Sequence, residues 1–166
     1  MINLARSLTM GTALLLASAG AMAGYTATKP LAISAVIQES VGPMARCASQ
    51  FGGTITGHAN SPELGRVVLI GTDCITPSGP LFNFAQGRMI ITTITGEQLY
   101  AEYSGQFVPT GEGAKFVFNN TSFQITGGTG RYWRASGGGT LTGGEDMVTG
   151  AGTAELVGKI TMFNWQ

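Results

Sequence analysis

Gly127-Gly128-Thr129-Gly130-Arg131-Tyr132-Trp133-Arg134-Ala135-Ser136-Gly137, continuing into Gly138-Gly139-Thr140-Leu141-Thr142-Gly143-Gly144, is the stretch on which the fold turns. Paired glycines supply the positive φ angles of tight turns and bulges. Tyr, Trp, Thr and Leu between them suit half-buried strands. The run also invites a phosphate-loop reading, but the spacing refuses it. A dinucleotide fingerprint needs a further glycine after two intervening residues beyond Gly130, and then a helix. Tyr132 and Trp133 stand there instead. The stretch reads as strand, turn, strand, and carries no acid, thiol or metal ligand at a chemically useful spacing.

Working outward, the chain N-terminal to this region divides at about residue 23. Residues 1–23 have the plan of a secretory signal peptide: Arg6, an uncharged apolar run from Leu8 to Ala19, and Ala21-Met22-Ala23 as a small-x-small cleavage site. The apolar run is short of the roughly 20 residues a membrane span needs. An exported chain, periplasmic or extracellular, with no membrane span after cleavage is expected. The remaining 24–166 is the size of one domain and long enough to bury a core. Within it, 24–46 is poorly readable: Leu31 to Ile37 fits either a first strand or a short helix ended near Gly42-Pro43. Residues 47–166 form the expected β domain.

Charged residues are 11% of the chain, against about 25% in typical domains. No cluster of Lys or Arg survives inspection, which argues against nucleic acid and anionic membrane surfaces as partners. Cys47 and Cys74 are the two cysteines. In an oxidising compartment they are expected to pair. Closing that loop stabilises by roughly 3.5 kcal/mol on a chain-entropy basis.

From Phe51 onward, β-branched and aromatic runs alternate with Gly, Pro, Asn and Ser. Strands are expected at 51–57, 66–73, 82–85, 88–95, 97–104, 114–118, 121–126, 131–136, 139–142 and 153–163. The clearest hairpin is Arg88–Ser104, turning at Thr95-Gly96. Leu99, Ala101 and Tyr103 then share one face, and Tyr100, Glu102 and Ser104 the other. Many short antiparallel strands and repeated glycine kinks favour an all-β, closed antiparallel barrel of about eight strands over a sandwich.

Phe84-Ala85-Gln86-Gly87-Arg88, Ile94-Thr95-Gly96-Glu97-Gln98-Leu99-Tyr100, Tyr103-Ser104-Gly105, Ile125-Thr126-Gly127-Gly128-Thr129-Gly130-Arg131-Tyr132 and Ala135-Ser136-Gly137 together resemble a known group. They are similar to the small eight-stranded barrels of allene oxide cyclases, dirigent proteins and related exported bacterial proteins. The likeness spans about residues 50–163. Thr95 stands where that group usually has Asn, and Trp133 where its members vary. The resemblance implies a barrel around an apolar or mixed cavity, sometimes in trimers. It transfers no catalytic residue.

Candidate chemistry is sparse. His58 is the sole histidine, in a loop-like stretch without a nucleophile elbow, and one His builds neither a triad nor a zinc site. The acids Glu63, Asp73, Glu97, Glu102, Glu112, Glu145, Asp146 and Glu155 are scattered, with Glu145-Asp146 reading as a solvated turn. No calcium loop is present, and no cofactor or metal is expected. Asn119-Asn120-Thr121-Ser122 matches a glycosylation acceptor.

The set left for ligand contact at a barrel mouth is Tyr100, Glu102, Tyr103, Arg131, Tyr132 and Trp133, with Arg134 beside them. Wall packing with Arg stacked on aromatic rings is the competing role. Three functions fit: a non-enzymatic barrel binding a small apolar or amphipathic molecule or acting as an interaction module, a cyclase-like or stereocontrolling barrel, or a homo-oligomeric assembly protein (dimer or trimer). The first two require room inside the barrel.

Overall fold

Alternation of apolar and polar side chains sets the wall. In Leu31-Ala32-Ile33-Ser34-Ala35-Val36-Ile37 the odd positions are buried and most of the even ones exposed, the period of a strand with one covered face. The stretch that fitted strand or helix is therefore strand. A computed structural model describes residues 25–164; the expected signal peptide lies outside the described residues. The strands are β1 (Tyr25–Pro43), β2 (Phe51–Ser61), β3 (Gly65–Ser78), β4 (Leu81–Thr93), β5 (Gln98–Pro109), β6 (Lys115–Gly128), β7 (Ser136–Asp146) and β8 (Ala151–Asn164). Each pairs antiparallel with its chain neighbours, and β8 returns to β1, so the sheet is a closed up-and-down barrel. The barrel takes in the poorly readable N-terminal segment as its first strand.

The connections lie at two ends. Residues 44–50, 79–80, 110–114 and 147–150 form the disulfide end. Residues 62–64, 94–97 and 129–135 form the glycine-turn end. Cys47 and Cys74 Sγ are 2.03 Å apart, at disulfide distance. The Arg88–Ser104 hairpin is present, with its turn closed by the Gly96 N–H donating to the Thr93 carbonyl at 3.0 Å. Gly96 takes the positive φ of 83°, so Thr95 is spared the conformation that Asn would tolerate better.

Two expectations change. First, 131–136 is not a strand: Gly130–Tyr132 form one 3-10 turn, and β7 starts at Ser136. The turn drops Tyr132 into the glycine-turn end, where it is 1% exposed. Second, the expected pairs 82–85/88–95 and 114–118/121–126 are continuous strands interrupted by bulges. Gln86 and Asn120 adopt φ of 52° and 47° there. Each bulge changes which residues face inward: Phe82 and Phe84 before it on β4, then Gly87, Met89 and Ile91 after it.

The interior is filled. Aliphatic side chains such as Leu31, Ile33, Ile91, Leu99, Leu156 and Ile160 occupy the glycine-turn half. Phe84, Phe107 and Phe118 stack in the other half, with centroids of Phe84–Phe107 at 4.7 Å and Phe107–Phe118 at 5.6 Å. Close strand approach at β7 depends on its glycines. A Cβ on Gly139 would run into the Val157 carbonyl, with Gly158 Cα 2.6 Å away. Gly139→Ala is therefore expected to lower stability by about 3 kcal/mol. Gly79→Ala, at a positive φ but with open space around it, should cost about 1 kcal/mol. Urea unfolding of both variants checks the contrast, and equal losses would refute it.

Candidate functional site

Three carboxyl groups that the sequence scatters are brought together inside the disulfide half. Glu39 comes from β1, Asp73 from β3 and Glu145 from β7, and all three are buried. Strand parity puts Glu39 there: it continues the inward series Leu31, Ile33, Ala35, Ile37. Glu145 and Asp146 part company for the same reason. Asp146 faces the turn and accepts the Val148 and Thr149 N–H groups at 3.0 and 2.9 Å, whereas Glu145 points inward and is 5% exposed. The solvated-turn expectation thus holds for Asp146 and fails for Glu145.

Asp73 is fully supplied. Tyr103 Oη donates to its Oδ2 at 3.0 Å, and the Gly53 N–H donates to Oδ1 at 3.2 Å. Burial nevertheless pushes its pKa up to about 6 against those bonds. Tyr103 is held well above its ordinary range, first by burial and then by the neighbouring Asp73 charge.

Glu39 is different. Neither of its carboxyl oxygens meets a hydrogen-bond donor, and Glu145 Oε2 also lacks one. The two carboxyls interact with each other, and only a proton held between them makes that contact favourable. Burial, followed by Glu145 and then Asp73, pushes Glu39 up to about 10. Glu145 is raised as well, by burial first. Both shifts favour the protonated over the charged form of the pair. Room for it comes from Gly53, the inward residue of β2 diagonally across, where any Cβ would collide with Glu39 Oε1.

A small cavity and a cleft adjoin this cluster, and an apolar bowl borders the cleft. A small interior cavity of about 20 Å³, room for one water molecule, lies among Ile37, Ile55, Leu69, Phe84 and Phe107, with Glu39, Asp73 and Tyr103 at its border and only apolar surface facing it. At the barrel mouth, Val41, Phe51, Ile75, Phe82, Phe116 and Met147 ring an open bowl of about 320 Å³. All but Met147, which comes from the 147–150 turn, are strand residues of inward parity, and they sit above the packed core, so several remain partly exposed. Val41 and Met147 also border a cleft of about 330 Å³ whose polar wall includes Glu39 and Glu145. The packed centre overturns the expectation of room inside the barrel, on which both ligand-based functions and the likeness to cavity-bearing barrels depended, and the open apolar space lies instead at this mouth.

The ligand set read from the sequence is divided: Glu102 and Tyr103 border one open depression of about 490 Å³ beside Arg88, and the other members lie elsewhere. Tyr103 alone joins the acid cluster. Tyr100 and Glu102 lie on the outer wall, and the Tyr100 hydroxyl donates to Gln98 Oε1 at 2.9 Å. Arg131, Tyr132 and Trp133 belong to the opposite end. There the Arg131 N–H donates to Glu97 Oε1 at 2.8 Å and its Nε pairs with Oε2 at 3.0 Å. The backbone N–H of Arg131, more than its charge, holds Glu97 below the usual carboxylate range. Arg131 lies over the Tyr132 ring at 5.0 Å and Arg134 over Trp133 at 4.3 Å, the stacked packing that competed with ligand contact. His58 sits on β2, not in a loop, and is exposed.

Among the described residues, no group of three or more His, Cys, Asp or Glu is arranged to hold a metal ion. No helix among them is long and apolar enough to cross a membrane. No family model matches the chain, and no curated protein does.

The raised pKa of Glu39 fixes a sign. Its folded value lies above the unfolded one, so the folded state binds the extra proton and stability falls as pH rises from about 4.5 towards about 10. Asp73 adds a fall between 3.8 and about 6. Glu39→Gln, an amide shaped like the protonated acid, should flatten the alkaline limb and be more stable than the parent at pH 8 by at least about 1.4 kcal/mol, the worth of one pKa unit. Thermal melts from pH 5 to pH 9 read this out. A parent whose stability rises over that range would contradict the protonated pair.

Proposed function

We propose that this protein is an exported barrel that binds a small apolar or amphipathic molecule at its disulfide-end mouth, without transforming it. The observation that carries this reading is the bowl of Val41, Phe51, Ile75, Phe82, Phe116 and Met147. A barrel concerned only with its own stability gains nothing by leaving inward-facing Phe51 and Val41 at 38% and 42% exposure. Concave apolar walls with a few polar groups at one side are the usual form of a small-molecule site. Export is supported by the signal-peptide pattern of residues 1–23 and by the cysteine pair, which suits an oxidising compartment. The likeness of the glycine motif to the allene oxide cyclase and dirigent barrels supports the same reading. Exposed Val68, Ile70 and Ile90 on the outer faces of β3 and β4 support self-association into a dimer or trimer.

A second reading, a stereocontrolling or cyclase-like barrel, is favoured by one observation. Asp73 titrates at about 6 and is held by Tyr103, which suits an acid that delivers a proton near neutral pH to a reactive hydrophobic intermediate.

Native mass spectrometry of the protein from its own host tests the first reading. A retained small-molecule mass is expected, and Phe116→Asp, which puts a charge in the bowl, should lose it. A bare polypeptide mass in the parent would sink the binding reading. Incubation of the protein with host extract tests the second. A product that disappears with Asp73→Asn supports catalysis, and identical extracts with parent and variant refute it.

A further inference from the structure

Barrel closure gathers charge that the sequence spreads out. Lys29, Arg66, Arg131, Arg134 and Lys159 are far apart in the chain, yet all five are exposed at or beside the glycine-turn end. Arg66 follows the 62–64 turn on β3, and Arg131 and Arg134 belong to the 129–135 connection. Lys29, opposite Ile160, and Lys159, opposite Pro30, lie on the part of the β1–β8 ladder that runs out to this end. The acids here are Glu63 and Glu97, and both are engaged. Glu63 Oε2 accepts the Ala32 N–H at 3.3 Å and the Ser61 hydroxyl at 3.2 Å, and Glu97 pairs with Arg131. Among the described residues, Lys29, Arg66, Arg134 and Lys159 form no ion pair. At the disulfide end the charges outside the interior balance, with Arg46 and Lys115 against Glu112 and Asp146.

Large apolar side chains are exposed at the same end as the cations. Ile94, in its hairpin turn, is 75% exposed, Tyr25 52% and Trp133 46%. The turn of Ile94 and the segment of Trp133 are fastened together. The Thr129 N–H donates to the Gln98 carbonyl and the Gln98 N–H to Thr129 Oγ1, both at 2.8 Å, while Glu97 accepts the Arg131 N–H. Arg134, at a positive φ of 61°, lies over the Trp133 ring at 4.3 Å and the Phe163 ring at 5.9 Å, which keeps its charge beside this apolar surface.

We propose that the glycine-turn end docks on an anionic phospholipid surface. Apolar tips that enter the headgroup layer, beside cations that stay at its surface, make up an interfacial membrane contact. Each Lys or Arg near anionic lipid strengthens binding about fivefold. The chain as a whole has no formal net charge, so it is this uneven placement that gives one end an attraction the rest of the surface lacks. The chain before Tyr25 also joins the barrel here, and the signal segment expected at residues 1–23 therefore leaves from the docking face. Nucleic acid offers the same negative charge, but an exposed Ile94 contributes nothing to contacts with its phosphates. The sequence shows no run of Lys or Arg because these five come from four separate segments, which meet only at the barrel's end. The docking face is independent of the bowl, which opens at the opposite end.

Flotation of the protein with vesicles of phosphatidylcholine alone, and of phosphatidylcholine mixed with phosphatidylglycerol, tests this. Binding to the anionic vesicles is expected to be at least about tenfold tighter in about 0.1 M salt, and to fall towards the neutral level in about 0.5 M salt. Arg66→Gln and Lys159→Gln should each weaken it about fivefold. Ile94→Ser should weaken it too, without changing its salt dependence. These three side chains are exposed, so melting temperatures equal to the parent's separate lost docking from lost folding. Lys115→Gln at the disulfide end and Phe116→Asp in the bowl should float as the parent does. Equal binding to both kinds of vesicle, or none to either, overturns the proposal and leaves the bowl standing. Vesicle binding that Phe116→Asp abolishes overturns it by moving the contact to the mouth. A preference for a DNA duplex over the anionic vesicles assigns the basic end to nucleic acid and overturns it as well.

Discussion

Pairing of the first strand with the last is the constraint from which the rest follows. From Tyr25 opposite Asn164 to Gln38 opposite Ala151, β1 and β8 are joined along their length. The closed sheet has no free edge on which a strand could slip. With β1 held on both sides, by β8 and by β2, its inward series cannot be re-registered without turning Leu31, Ile33 and Ile37 out into water. Glu39 is next in that series. Its burial is enforced by the apolar residues before it.

The neighbourhood is adapted to hold that acid uncharged. Gly53 yields the space a side chain would take, and Glu145 supplies an acceptor for its proton. Asp73 is satisfied separately by Tyr103 and the Gly53 amide. Tyr103 is itself admitted by Gly87, whose missing Cβ would lie 2.7 Å from the ring. Removing charge from an interior is cheaper than pairing it there, provided that a proton stays bound. Such a site is stable while neutral and responsive to anything that makes ionisation favourable.

The architecture was readable from residues and the site was not, for related reasons. The Arg88–Ser104 hairpin was legible because Thr95-Gly96 is a turn signal between two clean alternations. Gly127-Gly128 marked the end of β6, but Gly137 to Gly139, Gly143 and Gly144 lie inside β7, and Gly130 to Tyr132 coil into a 3-10 turn that β-forming side chains disguise. The bulges at Gln86 and Asn120 were visible only as gaps between short strands, since a side chain's propensity does not reveal that its backbone has taken positive φ. Glu39 lies in the segment with no decisive local signal, and Glu145 follows two glycines that suggest a surface turn. Three acids spread over more than a hundred residues become neighbours only when the barrel closes. The aromatic and basic residues around Trp133 drew attention because they are adjacent in sequence, and they proved to stack on one another.

The up-and-down path also decides how the molecule sits when it is held by its ends. Tyr25 lies beside Asn164 at the glycine-turn end, and the bowl opens at the other. A tether or support attached through the start of β1 or the end of β8 therefore anchors it base-down, with the apolar mouth directed outward. Immobilised copies would share one orientation and keep their openings unobstructed.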